Sequence, residues 1–306
     1  MIRGRFAPSP TGLLHLGNLR SALLGWLQAR SAGGELWLRI EDLDPERSKA
    51  HFVDAIFRDL EFLGLTWDGP VWRQSERHAM YEAALEVLRA KNAVYPCGCS
   101  RADIARASTA PHLGEEGPVY PGTCASLTEP PRGACSLRFR AQVGETSFVD
   151  GLRGRFTQDV QQAVGDFVVR RVDGVASYQL AVVVDDAAAG ITDVLRGDDL
   201  LSSTPRQLQL YRALGLEAPR YAHVPLLVQP DGRRLAKREG STTVSGLRER
   251  GVSAERIIGL MALWSGLRPT AAPIRASELV PGFSLSAVRP EPTIVHDDAL
   301  AELISG

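Results

Sequence analysis

The apolar pattern of the first hundred residues switches between two periods, and that alternation leaves few folds open. Ile2 to Ala7 reads as a short strand, broken by Pro8, Pro10 and Gly12. From there Leu19, Ala22, Leu23, Trp26 and Leu27 follow the spacing of one helical face. Gly33 and Gly34 close that helix, and Leu36, Leu38 and Ile40 return to the period of two expected of a strand. A second helix carries Phe52, Val53, Ile56, Phe57, Leu60 and Leu63 on one side, with Gly64 as its stop. A third amphipathic stretch spans about Glu76 to Ala90. Strand and helix in alternation predict an α/β fold with a parallel sheet and helical crossovers.

Near Tyr95 the pattern breaks. From there to about Ala176 the chain holds cysteines, many Gly and Pro, and short strand-like pieces such as Ser136 to Arg140 and Phe167 to Val172, the composition of an inserted module. Regular order resumes with an apolar strand, Tyr178 to Val184, and a helix over Thr204 to Leu214. After Val228 come a basic turn, Arg233-Arg234-Leu235-Ala236-Lys237-Arg238, and a helical tail interrupted by prolines. The expected divisions are 1–94, 95–176, 177–228 and 229–306.

With 35 basic and 36 acidic side chains the chain is nearly neutral, which excludes a protein that coats nucleic acid non-specifically but leaves room for a local basic face. The N-terminus lacks an apolar run of signal-peptide length, and no apolar stretch approaches a membrane span. Three of the four cysteines crowd between 97 and 124. That clustering points to a metal site in a reducing compartment rather than to a secreted disulfide scaffold, so a cytoplasmic location is expected. Cys97-Gly98-Cys99 with Tyr120 and Cys124 can close a tetrahedral zinc site, with Cys135 and His112 as competitors for the fourth position.

Neither the dinucleotide glycine fingerprint nor the Walker phosphate loop occurs. The candidate for nucleotide binding is Pro8-Ser9-Pro10-Thr11-Gly12-Leu13-Leu14-His15-Leu16-Gly17-Asn18, where the first strand hands over to the first helix. A helix N-terminus there offers backbone N–H groups to a phosphate, His15 and Asn18 add hydrogen bonds, and Gly17 lets a base or ribose approach the backbone.

Arg5-Phe6-Ala7-Pro8-Ser9-Pro10-Thr11-Gly12 followed by His15-Leu16-Gly17-Asn18 resembles the opening of the glutamyl-tRNA synthetases, with His15 to Asn18 at the place of the HIGH element. The resemblance runs through Leu38 to Pro45, Tyr178, and Leu195 to Leu201, and ends at Arg234-Leu235-Ala236-Lys237-Arg238, the place of KMSKS. There Arg234 replaces the first Lys and Ala236 the Ser, leaving Lys237 as the intact position. The resemblance implies a class I Rossmann-like catalytic domain in two halves, 1–94 and 177–228. A zinc-bearing insertion at 95–176 splits them, and a basic loop and helical module follow at 229–306.

It also implies roles. Arg5 and Arg196 take the side-chain carboxylate of L-glutamate, Glu41 its ammonium, and Ser9 and Tyr178 complete the pocket with Phe6, Ala7 and Pro8. His15, Gly17, Asn18 and Lys237 serve ATP with Mg²⁺, and His15, Asn18 and Lys237 stabilise the developing charge. His223 is read as structural.

The Cys-x-Cys … Tyr-x-x-x-Cys pattern is similar to that of the glutamyl-Q tRNA(Asp) synthetases, in which the Tyr is the fourth zinc ligand; they implicate tRNA(Asp) bearing queuosine as the acceptor. Size agrees with that branch. A globule of this length has a radius of gyration of roughly 19 Å, too small to hold an acceptor end and read an anticodon together, and the residues after Lys237 are too few for a separate anticodon-binding domain. A monomer is expected. Two alternatives remain on sequence alone: a glutamate ligase acting on a tRNA 3′ end or small carrier, and an inactive RNA-binding relative.

Overall fold

The computed structural model describes residues 1–107, 118–233, 235 and 243–305. Strand β1 (Arg3–Phe6) leads through helix α1 (Leu16–Ser31) to strand β2 (Glu35–Ile40), which pairs with β1 in parallel register, Arg5 opposite Trp37. Leu16, Leu19, Leu23, Leu24 and Leu27 of α1 are each 0% exposed. At roughly 2 kcal/mol per buried leucine, packing rather than intrinsic propensity holds this helix. Helix α2 (Ala50–Phe62) then crosses to strand β3 (Asp68–Arg73), parallel to β2, and helix α3 (His78–Ala90) follows. Strand β3 is not among the elements expected from the sequence. Its Gly69 and Pro70 interrupt any strand period, and Pro70 sits at an edge, where the register shifts between the Trp37 and Arg39 pairings and a missing donor is tolerated.

Next come β4 (Val94–Cys97), α4 (Arg101–Ala107), β5 (Ser136–Phe139), the antiparallel hairpin β6 (Glu145–Asp150) and β7 (Gly154–Asp159), the short α5 (Val160–Ala163) and β8 (Phe167–Arg170). Strands β4, β5 and β8 form an antiparallel sheet. The chain continues through α6 (Tyr178–Ala188), β9 (Asp193–Gly197), α7 (Thr204–Leu214) and β10 (Arg220–Val224), the last parallel to β9. Thr192 N–H donates to the Arg3 carbonyl at 2.9 Å, so the β9–β10 pair abuts β1. The last elements are β11 (Leu227–Val228), α8 (Val244–Glu249), α9 (Ala254–Trp264), β12 (Thr293–Ile294) parallel to β11, and α10 (Asp297–Ser305).

Tyr178 to Val184 is a helix, not the strand the sequence suggested. Ser177 caps it by accepting from the Leu180 N–H, and Leu180 to Val184 are buried on every side. A run with no polar face carries no period, so its spacing could not separate helix from strand. Leu85 and Leu88 of α3, Leu137 and Phe139 of β5 and Val183 of α6 share one apolar cluster. The β4–β5–β8 sheet is thereby packed against α3 and α6.

Candidate active site and metal cluster

The parallel strands end at a cleft of about 500 Å³. Arg5 reaches it from β1, Glu41 from just beyond β2, Arg196 from β9 and Tyr178 from the first turn of α6. Phe6, Ala7, Pro8 and Ser9 line it beside Arg5, and His15, Gly17 and Asn18 line its other end at the start of α1. All these residues singled out in the sequence therefore meet in one place, at the carboxyl edge of a parallel sheet where such folds bind ligands.

Among the described residues, every hydrogen-bond partner of Arg196 is neutral. Its Nε donates to His223 Nε2 at 3.0 Å, Nη1 to Tyr178 Oη at 3.3 Å, and Nη2 to Thr204 Oγ1 and Gln207 Oε1, each at 2.9 Å. The residue is 5% exposed. A buried guanidinium with no carboxylate against it is costly unless an anion arrives.

Arg5 is placed differently. Its Nε reaches Asp186 Oδ2 at 3.4 Å, and the same carboxylate accepts from Arg39 Nη1 at 2.5 Å. Arg39 Nη2 in turn donates to Glu41 Oε1 at 3.0 Å. Burial opposes the Asp186 charge, but Arg39 and Arg5 outweigh it and hold the carboxyl below its ordinary range. Glu41 goes the other way: burial pushes its carboxyl up, and Arg39 and Arg5 offset this only in part. A ligand ammonium beside Glu41 supplies further positive charge to stabilise its ionised form. Arg39 lies in the Leu38–Pro45 run but was given no role from the sequence, and Asp185 and Asp186 were not singled out, although two adjacent Asp at the end of the apolar Leu180–Val184 run are a signal, since buried carboxylates need partners.

At the other end His15 is the N-cap of α1. Its Nδ1 accepts from the Gly17 and Asn18 N–H groups at 3.1 and 3.3 Å. The two amides offered to a phosphate are thus already satisfied by the imidazole. A Cβ on Gly17 would stand 3.0 Å from His15 Cε1, so glycine here makes room for the capping ring as well as for a ligand. Leu14 and His15 also meet the far side of the basic loop: Val244 N–H donates to the Leu14 carbonyl at 2.9 Å, and His15 bridges to Thr243. Leu235 lines the cleft. Arg234, Ala236, Lys237 and Arg238 lie outside the described residues, as does His112.

The sulfur atoms of Cys97, Cys99 and Cys124 lie within 4.8 Å of one another, and Cys99 Sγ is 3.6 Å from Cys124 Sγ. Tetrahedral zinc with sulfur at about 2.3 Å requires sulfurs about 3.8 Å apart, so the cluster fits that ion. Tyr120 Oη is 3.3 Å from Cys97 Sγ and accepts from the Cys124 N–H at 2.9 Å. Arg138 Nε donates to Cys97 Sγ at 3.3 Å. Burial opposes the Cys97 thiolate, yet the hydrogen bonds from Tyr120, the Cys99 backbone and Arg138 hold its pKa below that of an ordinary thiol. Tyr120 is held in place from behind: Gly165, at φ +75°, lies so close that a Cβ would be 2.3 Å from the Tyr120 carbonyl oxygen. Cys135 is not among the three clustered thiols; its Sγ points to the Pro131 and Gly133 carbonyls, each at 3.5 Å.

This sheet, cleft and helix start define a class I aminoacyl-tRNA synthetase catalytic domain. Residues 1–276 match the family of class I tRNA synthetases for E and Q, catalytic domain. The chain is 50% identical to the glutamyl-Q tRNA(Asp) synthetase of Symbiobacterium thermophilum over 100% of its own length and 99% of the relative's. It is 44% identical to that of Nitratidesulfovibrio vulgaris, again over 100% and 99% of the two chains. The chain belongs to the glutamyl-Q tRNA(Asp) synthetase family. Its fold superposes with a TM-score of 0.84 on a glutamate tRNA ligase from Elizabethkingia meningosepticum solved with its amino acid, at 28% identity over 99% of this chain and 68% of that one. No helix among the described residues is long and apolar enough to cross a membrane.

Proposed function

We propose that the cleft joins L-glutamate to ATP, and that the glutamate then passes to the queuosine of tRNA(Asp). One observation carries the first step: Arg196 is a buried cation whose partners among the described residues are all neutral, facing the same cleft as Arg5 and Glu41. A ligand with two carboxylates and an ammonium matches that charge pattern. Arg196 and Arg5 take the side-chain carboxylate, Glu41 with Tyr178 and Ser9 takes the ammonium, and Phe6, Ala7 and Pro8 wall the pocket. The α-carboxylate is left directed toward the start of α1.

There its oxygen attacks the α-phosphate of ATP. A C–O–P bond forms, the bond to the β-phosphate breaks, and pyrophosphate leaves. His15 and Asn18 line the nucleotide end with Gly17. The Lys237 ammonium stabilises the charge that develops as pyrophosphate departs. Mg²⁺ bound with ATP would screen phosphate charge. A hydroxyl of the queuosine cyclopentene-diol then attacks the mixed anhydride and AMP leaves. No protein nucleophile is required, because orientation and electrostatics suffice for an activated acyl group.

Cys97, Cys99 and Cys124, with Tyr120 as fourth ligand, would hold one structural zinc ion, which when bound ties β4 to the loop at 120–124. The divisions 1–94, 95–176, 177–228 and 229–306, a monomer, and a cytoplasmic location complete the reading. Glutamate-dependent exchange of pyrophosphate into ATP without tRNA tests the first step. Transfer of labelled glutamate to queuosine-containing but not queuosine-free tRNA(Asp) tests the second; equal labelling would exclude the base as acceptor and favour a tRNA 3′ end.

A further inference from the structure

The support behind Arg196 is itself polar and directional. His223, 0% exposed, stands on β10 opposite Arg196 on β9. Its Nδ1 is 2.6 Å from Asp150 Oδ2, and Asp150 Oδ1 accepts from the His223, Leu152 and Arg153 N–H groups at 3.1, 3.0 and 2.9 Å. These contacts define the imidazole. Facing a carboxylate, Nδ1 carries the proton; facing the Arg196 Nε–H, Nε2 presents its lone pair. The opposite tautomer would point an N–H at another N–H 3.0 Å away. Phe148 and Tyr221 flank the ring, the latter stacked at an interplanar angle of 10°. The ring is therefore held in plane as well as in tautomer.

We propose that Asp150 and His223 are positioning residues for substrate recognition: the carboxylate at the end of the β6 strand fixes the imidazole tautomer, and the imidazole aims the Arg196 guanidinium into the cleft. With Nε taken by His223 and Nη2 by Thr204 and Gln207, the Nη1 edge beside Tyr178 is the part of Arg196 turned toward the ligand. A neutral acceptor behind the guanidinium is the significant choice. A carboxylate in the place of His223 would neutralise Arg196 and weaken its attraction for an anionic side chain; an imidazole fixes the geometry and leaves the charge available. Asp150 lies one residue further from the ligand, where its charge orders the histidine without pairing with the arginine. The inference rests on the reading of Arg196 as the clamp for the substrate's side-chain carboxylate.

The test is pyrophosphate exchange with glutamate and ATP varied separately in the full-length protein. In Asp150→Asn the amide N–H₂ can face Nδ1, which drives the ring to the Nε2–H tautomer against Arg196. The expected result is a KM for glutamate raised about tenfold or more, with the KM for ATP within about threefold of the parent. His223→Gln keeps an acceptor for Arg196 Nε and should hold the glutamate KM within about threefold, whereas His223→Leu, with none, should match Asp150→Asn. An unchanged glutamate KM in Asp150→Asn, or a rise in both KM values together, overturns the proposal. If Asp150→Asn does not fold, the His223 pair decides, and equal glutamate KM values for Gln and Leu overturn it. Arg196→Ala separates the two levels. If it leaves the glutamate KM unchanged, the reading of Arg196 fails; if it raises that KM while Asp150→Asn does not, only the positioning role fails.

Discussion

Arg39 and Asp186 meet at 2.5 Å inside the protein, both nearly inaccessible, and the same carboxylate reaches Arg5 at the edge of the cleft. A structural ion pair and a ligand-facing cation therefore share one anion. Asp186→Asn leaves two buried guanidinium groups short of negative charge. It should destabilise the protein by about 3–5 kcal/mol in urea unfolding and raise the KM for glutamate. A loss below about 0.5 kcal/mol would show that the network tolerates the missing charge.

Lys237→Ala should abolish pyrophosphate exchange while leaving the melting temperature and the heat of glutamate binding close to those of the parent. Exchange at the parental rate would remove Lys237 from the chemistry.

Metal analysis of freshly purified protein should find one zinc per chain, absent in Cys97→Ser and retained in Cys135→Ser. Tyr120→Phe removes an oxygen and no thiolate, so it should weaken retention against a chelator rather than abolish binding. Metal-free parental protein would sink the zinc assignment, and equal loss in Cys135→Ser would move the fourth ligand to that cysteine.

Asp59, 0% exposed, faces Arg248 at 3.1 Å between α2 and α8, and burial pushes its carboxyl from 3.8 to about 6. The proton is thus bound more tightly in the folded state. Asp59 favours folding fully below pH 3.8, and that contribution is lost as pH rises through about 6. Asp59→Asn keeps the shape without the titration. Its stability relative to the parent should climb between those two pH values and then level off about 1–3 kcal/mol higher. A pH-independent difference would show that Asp59 keeps its ordinary acidity.

Much of the cleft was legible in the sequence because its residues lie in short, distinctive runs. Arg5 to Asn18 forms one uninterrupted stretch, and Arg196 begins another, so the type and order of residues identified them. What was not legible depends on pairs far apart in the chain. His223 and Asp150 are separated by 73 positions and meet only because the β6–β7 hairpin lies beside β10. His223, read as structural from the sequence, contacts a cleft residue directly. The sequence also gave no sign that His15 would use its Nδ1 to cap its own helix, since capping depends on a side-chain rotamer. Helix α6 was misread for a related reason: an all-apolar run takes its form from the surrounding core and from the Ser177 cap.

Strand β5 is only four residues long, yet it faces two sites. Leu137 and Phe139 enter the apolar cluster that holds Val183 of α6, while Arg138, between them, reaches back to Cys97 and lies with its Cζ 3.8 Å from the centre of the Tyr120 ring. Emptying the thiol cluster would loosen one side of that ribbon and, through the other, slacken the floor on which Tyr178 stands. Chelation should therefore be sensed first as a softer grip on the amino acid, before any global melting.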